Sequence, residues 1–494
     1  MKKHKIILYY NTLLFFIIIN TIKAQIPSFQ HTYGLAGFNY GIAAIQTPDS
    51  GFVILGNKSG FSGNTDIYII KTNKYGLLQW DKAIGDQNLL WANDFKQTLD
   101  KGFIITGYIN SLNTGGYDFL IIKTDSLANV EWQKNFGGPD WDMANSVAIM
   151  PNVGYIIAGK TYNNTSGMAD AFIAGINFNG DTLWTKTFGG LGDDVINCID
   201  TTHDGNFIAA GYTNSFGNGN YDFFMVKITP NGDTLWTRTF GHAGDDKAYS
   251  VRPTIDGGYV IVGSSNSPPT INLDPWLVKT NSNGIYLWDY IYFNNQDEEF
   301  FDVKQKTNGL YVMTGYTTTW GWGNKELFTH VVLGNGDFLH GHTFGGYSDD
   351  IGYTAGYASD GGYFFTGTTD SKGIGLTNIF FVKTDSNCYA DTNSTHVMGL
   401  AEITPLNNYK IKLFPNPVKV NNQINVLIEL ENEESNLFIN ISDYLGNSIY
   451  SNILKINNHQ YNLQYNIGNV PTGVYCMSVK GDYISKTVKF IVVK

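Results

Sequence analysis

An aromatic residue followed four positions later by glycine recurs along this chain at an almost fixed interval. The pairs are Phe52/Gly56, Phe103/Gly107, Tyr155/Gly159, Phe207/Gly211, Tyr259/Gly263, Tyr311/Gly315 and Tyr363/Gly367, with the glycines spaced by 51 residues once and by 52 thereafter. Two further markers keep the same step. One is Trp80, Trp132, Trp184, Trp236 and Trp288, with His340 in the sixth place. The other is acidic: Asp66, Asp118, Asp170, Asp222, Asp274 and Glu326, then Asn378. A fixed period of this length specifies a solenoid, a propeller or an array of like units.

The fourth copy shows what the unit is. Val195 to Thr202 and Asn206 to Tyr212 read as two strands around His203-Asp204-Gly205. Asp222 to Ile228 and Thr234 to Phe240 read as two more, joined by Pro230-Asn231-Gly232-Asp233, where Asn-Gly supplies the positive φ angles of a tight hairpin. No 3.6-residue period runs through the region, so the expectation is all-β: a seven-bladed β-propeller of four strands per blade. The seventh copy lacks its fourth strand. Phe29-Gln30-His31-Thr32-Tyr33-Gly34 resembles Leu339-His340-Gly341-His342-Thr343-Phe344-Gly345, so the N-terminal segment is expected to complete blade seven and remove the open edge.

Composition narrows the function classes. Aromatics make up 15% of the 494 residues and Gly numbers 55, which excludes a disordered chain, a coiled coil and a helix bundle. A formal charge of −11 with no basic run argues against a nucleic-acid partner. Three cysteines are too few for a disulfide framework.

Both ends read as addresses. Lys2, Lys3 and Lys5 precede the apolar Ile6 to Ile19, and Ile22-Lys23-Ala24 precedes Gln25, the layout of a secretory signal peptide. Its 14 apolar residues fall short of the ~20 that span a bilayer, and no later stretch is apolar enough, so no transmembrane segment is expected in the mature chain. The expected divisions are residues 1–24 for the signal peptide, 25–388 for the propeller, 389–408 for a linker and 409–494 for a small Ig-like β-sandwich. The last segment contains Phe414-Pro415-Asn416-Pro417, Leu445-Gly446, Gly473-Val474-Tyr475 and a closing strand ending at Lys494. It resembles the type A C-terminal sorting domain of the type IX secretion system of Bacteroidota. That resemblance implies passage through the outer membrane, type IX machinery as a partner, a secreted or cell-surface product, and Pro415, Asn416, Pro417, Gly473, Tyr475 and Lys494 as sorting-signal residues.

Chemistry is harder to find. Gly154-Tyr155-Ile156-Ile157-Ala158-Gly159-Lys160-Thr161 fits a phosphate-binding loop pattern, but it lies in a repeated strand with no helix after it. His340-Gly341-His342 puts two imidazoles on one strand face, where packing is the simpler role. Cys198, Cys388 and Cys476 have no neighbouring His and read as free thiols, with a Cys388–Cys476 bridge left open. Acidic residues recur where one blade leads into the next: Asp193-Asp194, Asp245-Asp246, Asp297-Glu298 and Asp349-Asp350, with Trp141-Asp142, Phe38-Asn39 and Leu89-Leu90 in the other blades. By resemblance to known propellers, that loop shares a face with the loop between second and third strands. Six of these residues, Asp193, Asp194, Asp245, Asp246, Asp349 and Asp350, could hold Ca²⁺, the one cofactor the sequence suggests. The structural alternative is that repeated aspartates bond loop backbone.

Function should sit where copies differ. The blade-six loop Thr317-Thr318-Thr319-Trp320-Gly321-Trp322-Gly323-Asn324 offers Trp320 and Trp322 for stacking on a sugar or peptide, and Trp141 is a third aromatic of that kind. The expected function is a non-catalytic binding module for an extracellular glycan or protein. The rivals are a polysaccharide hydrolase or lyase, which needs a non-repeated catalytic set around the central channel, and a structural or adhesive surface protein. No such set is visible in the sequence.

Overall fold

The computed structural model describes residues 27–34, 37–59, 65–85, 88–110, 116–163, 165, 167–268, 272–321, 323–390, 396–398, 410–420, 422–429, 436–443, 448–455, 460–468, 470–480 and 485–494. The signal-peptide stretch, Trp322 and Leu445-Gly446 lie outside them. The chain divides into two compact units, Met1–Gly399 and Leu400–Lys494. Among the described residues there is no helix, hence none long and apolar enough to cross a membrane.

In the first unit, six sheets each hold four strands in sequence order, and a seventh holds five, two of them from outside its own repeat. The inner strands are Phe38–Gln46, Leu89–Gln97, Asp142–Met150, Asp194–Thr201, Asp246–Pro253, Glu298–Gln305 and Asp350–Tyr357. In blade four, Asp194–Thr201 begins one residue ahead of the expected Val195, because Asp194 already pairs with Thr213. Gly154–Thr161, the segment with the phosphate-loop pattern, is the second strand of blade three. Blade seven has three strands of its own, and Phe29–Tyr33 pairs antiparallel with the third, with Phe29 opposite Lys383 and Tyr33 opposite Ile379. His396–Met398 adds a fifth strand, parallel to this closing strand.

The markers follow from this geometry. Every inner strand carries a bulge just after the residue that faces the marker glycine, as where Ile196 faces Gly211. The bulge turns a carbonyl into the second strand. A Cβ on that glycine would lie 1.7 to 1.9 Å from it in blades two to seven, so no other residue fits. The aromatic four residues earlier is buried between blades. Trp132, Trp184 and Trp236 lie against the hairpin glycines of the following blade, Gly180, Gly232 and Gly284, and Trp184 Nε1 donates to the Pro230 carbonyl at 3.0 Å. At the seam His31 and Phe29 take that place against Gly76, and the Tyr33 hydroxyl donates to the Gly76 carbonyl at 2.7 Å.

A third-strand lysine pins the first hairpin in five blades. The pairs are Lys71–Asp49, Lys123–Asp100, Lys227–Asp204, Lys279–Asp256 and Lys383–Asp360, at 2.6 to 3.0 Å. The lysine stems are buried and the aspartates half-exposed, so desolvation raises the carboxyl pKa values. Hydrogen bonds and the lysine charge outweigh it, leaving Asp49, Asp100 and Asp256 at about 2.

The second unit is a two-sheet sandwich. A three-stranded sheet of Lys410–Phe414, Gln423–Glu429 and Gln460–Asn466 faces a five-stranded sheet that includes Asn436–Asp443, Gly473–Lys480 and Ser485–Val493. Alternate residues of both sheets meet in one core: Ile424, Val426 and Ile428 from the first, Ile439, Met477 and Phe490 from the second.

Candidate functional site: the central channel and its aromatic mouth

All seven inner strands begin on one face, called the leading face here, and run toward the other. The acidic pairs stand at their start. The second member of each pair, Asp142, Asp194, Asp246, Glu298 or Asp350, is buried. Asp194 accepts from Gly190 N at 3.0 Å and Ser215 Oγ at 2.6 Å, and also from Thr213 Oγ1. Asp350 repeats this with Gly346 N at 2.9 Å and Ser371 Oγ at 2.7 Å, and Asp246 accepts from His242 N at 2.7 Å. These carboxylates tie the loop entering the blade to the loop between its second and third strands. Burial raises the pKa of Asp142, Asp246, Glu298 and Asp350 against these donors.

The first members reach the preceding blade: Ala169 N donates to Asp193 at 3.1 Å and Leu273 N to Asp297 at 3.0 Å. Asp245 and Asp349 each keep one buried oxygen without a partner. Among the described residues no three His, Cys, Asp or Glu side chains converge to hold a metal, whereas Ca²⁺ takes six to eight oxygens.

The inner strands enclose a cavity of about 1020 Å³ along the ring axis. Its walls differ with the bulge residue. Asn93, Asn145 and Asn197 occupy the bulge in blades two to four, and each amide donates to a carbonyl of the next blade, Ala144, Ile196 and Ala248, at 2.8 to 2.9 Å. Tyr249, Phe301 and Tyr353 stand there in blades five to seven, in ring contact at 5.0 and 5.5 Å.

One residue further on, a belt passes between blades. Asp94 accepts from Ser146 Oγ at 2.8 Å and Val147 N at 3.0 Å, and Ser146 Oγ accepts from Ile199 N at 3.2 Å. Ser250 Oγ donates to Asp302 at 2.7 Å, Ala355 N donates to its other oxygen at 3.2 Å, and Thr354 Oγ1 donates to the Ile42 carbonyl at 2.9 Å.

Charged residues from four blades meet along this belt. Arg252 Nη2 donates to Asp302 at 2.8 Å, Nη1 donates to Cys198 Sγ at 2.7 Å, and Asp200 lies 3.6 Å from Nη1. Lys96 gives both its bonds to Asp94, at 2.7 and 2.8 Å. Lys304 lies 3.7 Å from Asp302. Burial raises the Asp302 pKa, but Lys304 and Arg252 together hold it below the ordinary carboxylate value. Burial and the Arg252 charge lower the pKa of Lys304. The sequence reading found no non-repeated polar set around the channel; the fold assembles one from Asp94, Cys198, Asp200, Arg252, Asp302 and Lys304. Asp94 and Asp302 share one register and Asp200, Arg252 and Lys304 another, but neither column repeats one residue type around the ring, and only stacking the seven copies column by column would have revealed the set.

On the leading face an arc of rings spans blades one to three. Phe38 stacks on Tyr40 at 6.4 Å, and Tyr40 meets Trp91 at 5.2 Å. Trp91 stacks on Tyr108 at 6.3 Å, Tyr108 meets Tyr117 at 5.0 Å, and Tyr117 meets Trp141 at 5.3 Å. The inner members Tyr40 and Trp91 also line the channel, while Trp141 is 51% exposed. Trp141 thus belongs to a larger aromatic surface that the sequence reading did not see. Trp320 is 45% exposed and leans on Phe328 at 5.5 Å, away from this arc in blade six. Across the ring the comparable rings are covered by cations: Lys247 lies 4.2 Å over Tyr221, and Lys325 lies 4.1 Å over Tyr316.

His340 and His342 pack where blade six meets the end of the ring, with His342 against Tyr389 at 4.3 Å. Cys198, Cys388 and Cys476 are free thiols. In the sandwich, Asn416 accepts from Ile491 N at 2.9 Å and donates to the Lys489 carbonyl at 3.3 Å, which fastens the Pro415-Asn416-Pro417 turn to the last strand. The Tyr475 hydroxyl donates to the Pro471 carbonyl at 2.7 Å, across Gly473, and Lys494 is exposed.

Residues 412–494 match the secretion system C-terminal sorting domain family. The tail is therefore a type IX sorting domain, and the chain is secreted or displayed at the cell surface. No curated protein matches the chain. Among solved structures, it is similar to puromycin hydrolase, at 10% identity and a TM-score of 0.45, over 79% of this chain and 58% of that one. It is similar to the β-propeller domain of the Trilobed protease from Pyrococcus furiosus, at 10% identity and 0.41, over 72% of this chain and 100% of that one. It is also similar to Pyrococcus horikoshii acylaminoacyl peptidase, at 10% identity and 0.39, over 80% of this chain. The chain spans only 58% of that peptidase's length.

Proposed function

We propose that the propeller is an extracellular recognition module that holds a glycan on the leading face of blades one to three. The observation that carries this is the arc from Phe38 to Trp141. Apolar faces of pyranose rings stack on such side chains at little entropic cost, because the rings are already fixed by their neighbours. The half-buried Asn ladder beside it ties blades two to five together and keeps the platform rigid. In this reading residues 1–24 are the signal peptide, 25–388 the propeller, 389–408 the linker and 409–494 the part that engages the type IX machinery. The test is a glycan and peptide array probed with the full chain and with Trp91→Ala and Trp141→Ala. Saturable glycan binding that weakens in both variants supports the module. Peptide binding alone would replace the glycan with a protein ligand.

A second reading has its own observation. The channel does contain a non-repeated set of carboxylates beside a lysine of lowered pKa, which is what a hydrolase or lyase would require. Glycan shortened during incubation, rather than merely retained, would favour it.

A further inference from the structure

We infer that the channel below the arc receives the carboxylate of an acidic sugar, held by Lys304 with Arg252 beside it. This rests on the glycan reading and names the class of glycan. The argument begins with which donors are already used. Lys96 spends its ammonium on Asp94 through two short bonds. Arg252 spends both terminal nitrogens, while its Nε is buried without a partner. Lys304 makes no hydrogen bond among the described residues; its one ionic neighbour is Asp302 at 3.7 Å, and its side chain is 30% exposed, on the cavity wall.

The acids cannot swing over to meet it. Asp302 is fixed by Ser250, Arg252 and the Ala355 amide, Asp94 by Ser146 and the Val147 amide, and Asp200 by the Thr201 amide with Arg252 3.6 Å away. Asp94, Asp200 and Asp302 balance Lys96, Arg252 and Lys304, and the one further cation on the wall, Lys306, donates to the Gly361 carbonyl at 2.8 Å, so a general positive field is not the main attraction for an anion. What remains is a local donor with three unused N–H bonds in a partly dry space, where a charge-assisted bond is stronger than in water. Lys304 also suffers from burial and from Arg252, and a carboxylate between them would relieve both.

The same cavity supplies the rest of a sugar site. Tyr40 and Trp91 line it from the arc, and Phe301 and Tyr353 from the other wall. A glycan that enters the channel from the arc therefore passes Phe301 and Tyr353 before its carboxylate reaches Lys304, further along the same strand as Phe301.

Isothermal titration of the full chain with trimers of galacturonate, glucuronate and mannuronate, each beside its neutral hexose counterpart, tests this. At least one acidic trimer should bind ten-fold or more tightly than its counterpart. Lys304→Met should erase that preference with an unchanged melting temperature, and Lys304→Arg should keep most of it. Equal binding of acidic and neutral trimers would overturn the carboxylate site and leave the recognition reading standing. So would a preference that survives Lys304→Met. No binding by any trimer, with the array also silent, would remove the recognition reading and this inference together.

Discussion

The second strands of the seven blades are near copies, whereas the inner strands are not. At the marker position the second strand has glycine every time, from Gly56 to Gly367. Directly across from it and one step on, the inner strands carry Ala43, Asp94, Ser146, Cys198, Ser250, Asp302 and Thr354. The two strands lie side by side in the same sheets, yet one is under a steric constraint and the other is free to vary. The constraint is the bulge carbonyl, which leaves no space for a Cβ. The freedom is one of chemistry rather than size: these residues are all small, and each polar one can bond a different group of the neighbouring blade. Sameness therefore marks what builds the ring, and difference marks what can meet a ligand.

This contrast can be broken at its strongest point first. Deleting Phe29–Tyr33 removes two buried aromatics and the outer partner of the third strand of blade seven. At ~3–5 kcal/mol for each large buried ring, it should cost more than about 5 kcal/mol and abolish a single cooperative melt. A melt that stays cooperative and close to wild type would show that the ring does not need its seam. Next, Gly211→Ala places a Cβ 1.9 Å from the Val195 carbonyl and should cost about 3 kcal/mol or more in a denaturant titration. Cys198→Ala, in the adjoining inner strand, should cost clearly less.

Binding comes after stability. Trp91→Ala should weaken glycan binding by about 2 kcal/mol, roughly thirtyfold, while leaving the fold intact. Trp320→Ala should change it less than about threefold, and a larger loss would move the site to blade six.

Acid separates two sets of carboxylates. Asp49, Asp100 and Asp256 have folded pKa values near 2, below the unfolded value of about 4. Their stabilisation is complete above pH 4 and is lost as pH falls toward 2. Asp142, Asp246 and Asp350 have raised folded values, so they destabilise the ring at neutral pH and relieve that strain as they protonate. Melting temperature against pH should therefore hold or rise slightly on acidification toward pH 4 and then drop. Lys123→Met, which removes one pin, should flatten the drop.

Much of the ring was legible because its constraints are local. Asn231-Gly232 announces a hairpin, Phe207 and Gly211 announce a strand, and repetition confirms both. The seam was legible for the same reason, since Phe29 to Gly34 repeats a blade's fourth strand. Trp141 was legible as an exposed ring but not as part of an arc, because Tyr40, Trp91 and Tyr117 look like ordinary strand aromatics. The channel set was hidden by distance. Asp94, Cys198, Arg252 and Asp302 are dozens of residues apart, and only the rotation from blade to blade brings them together. The repeated aspartates left two readings open in the sequence, a cation site or loop fastening, and the buried second members, Asp194, Asp246 and Asp350, bond loop donors.

The closing strand sets an order of events for the chain. Phe29 finds its partner in Lys383, so the first part of the propeller to be made is the last to be used. Joining ends that far apart carries a loop entropy of roughly 5 kcal/mol before any contact repays it, which makes closure slow. A ring that cannot lock until its seventh blade is present stays open for as long as part of the chain is still on the way.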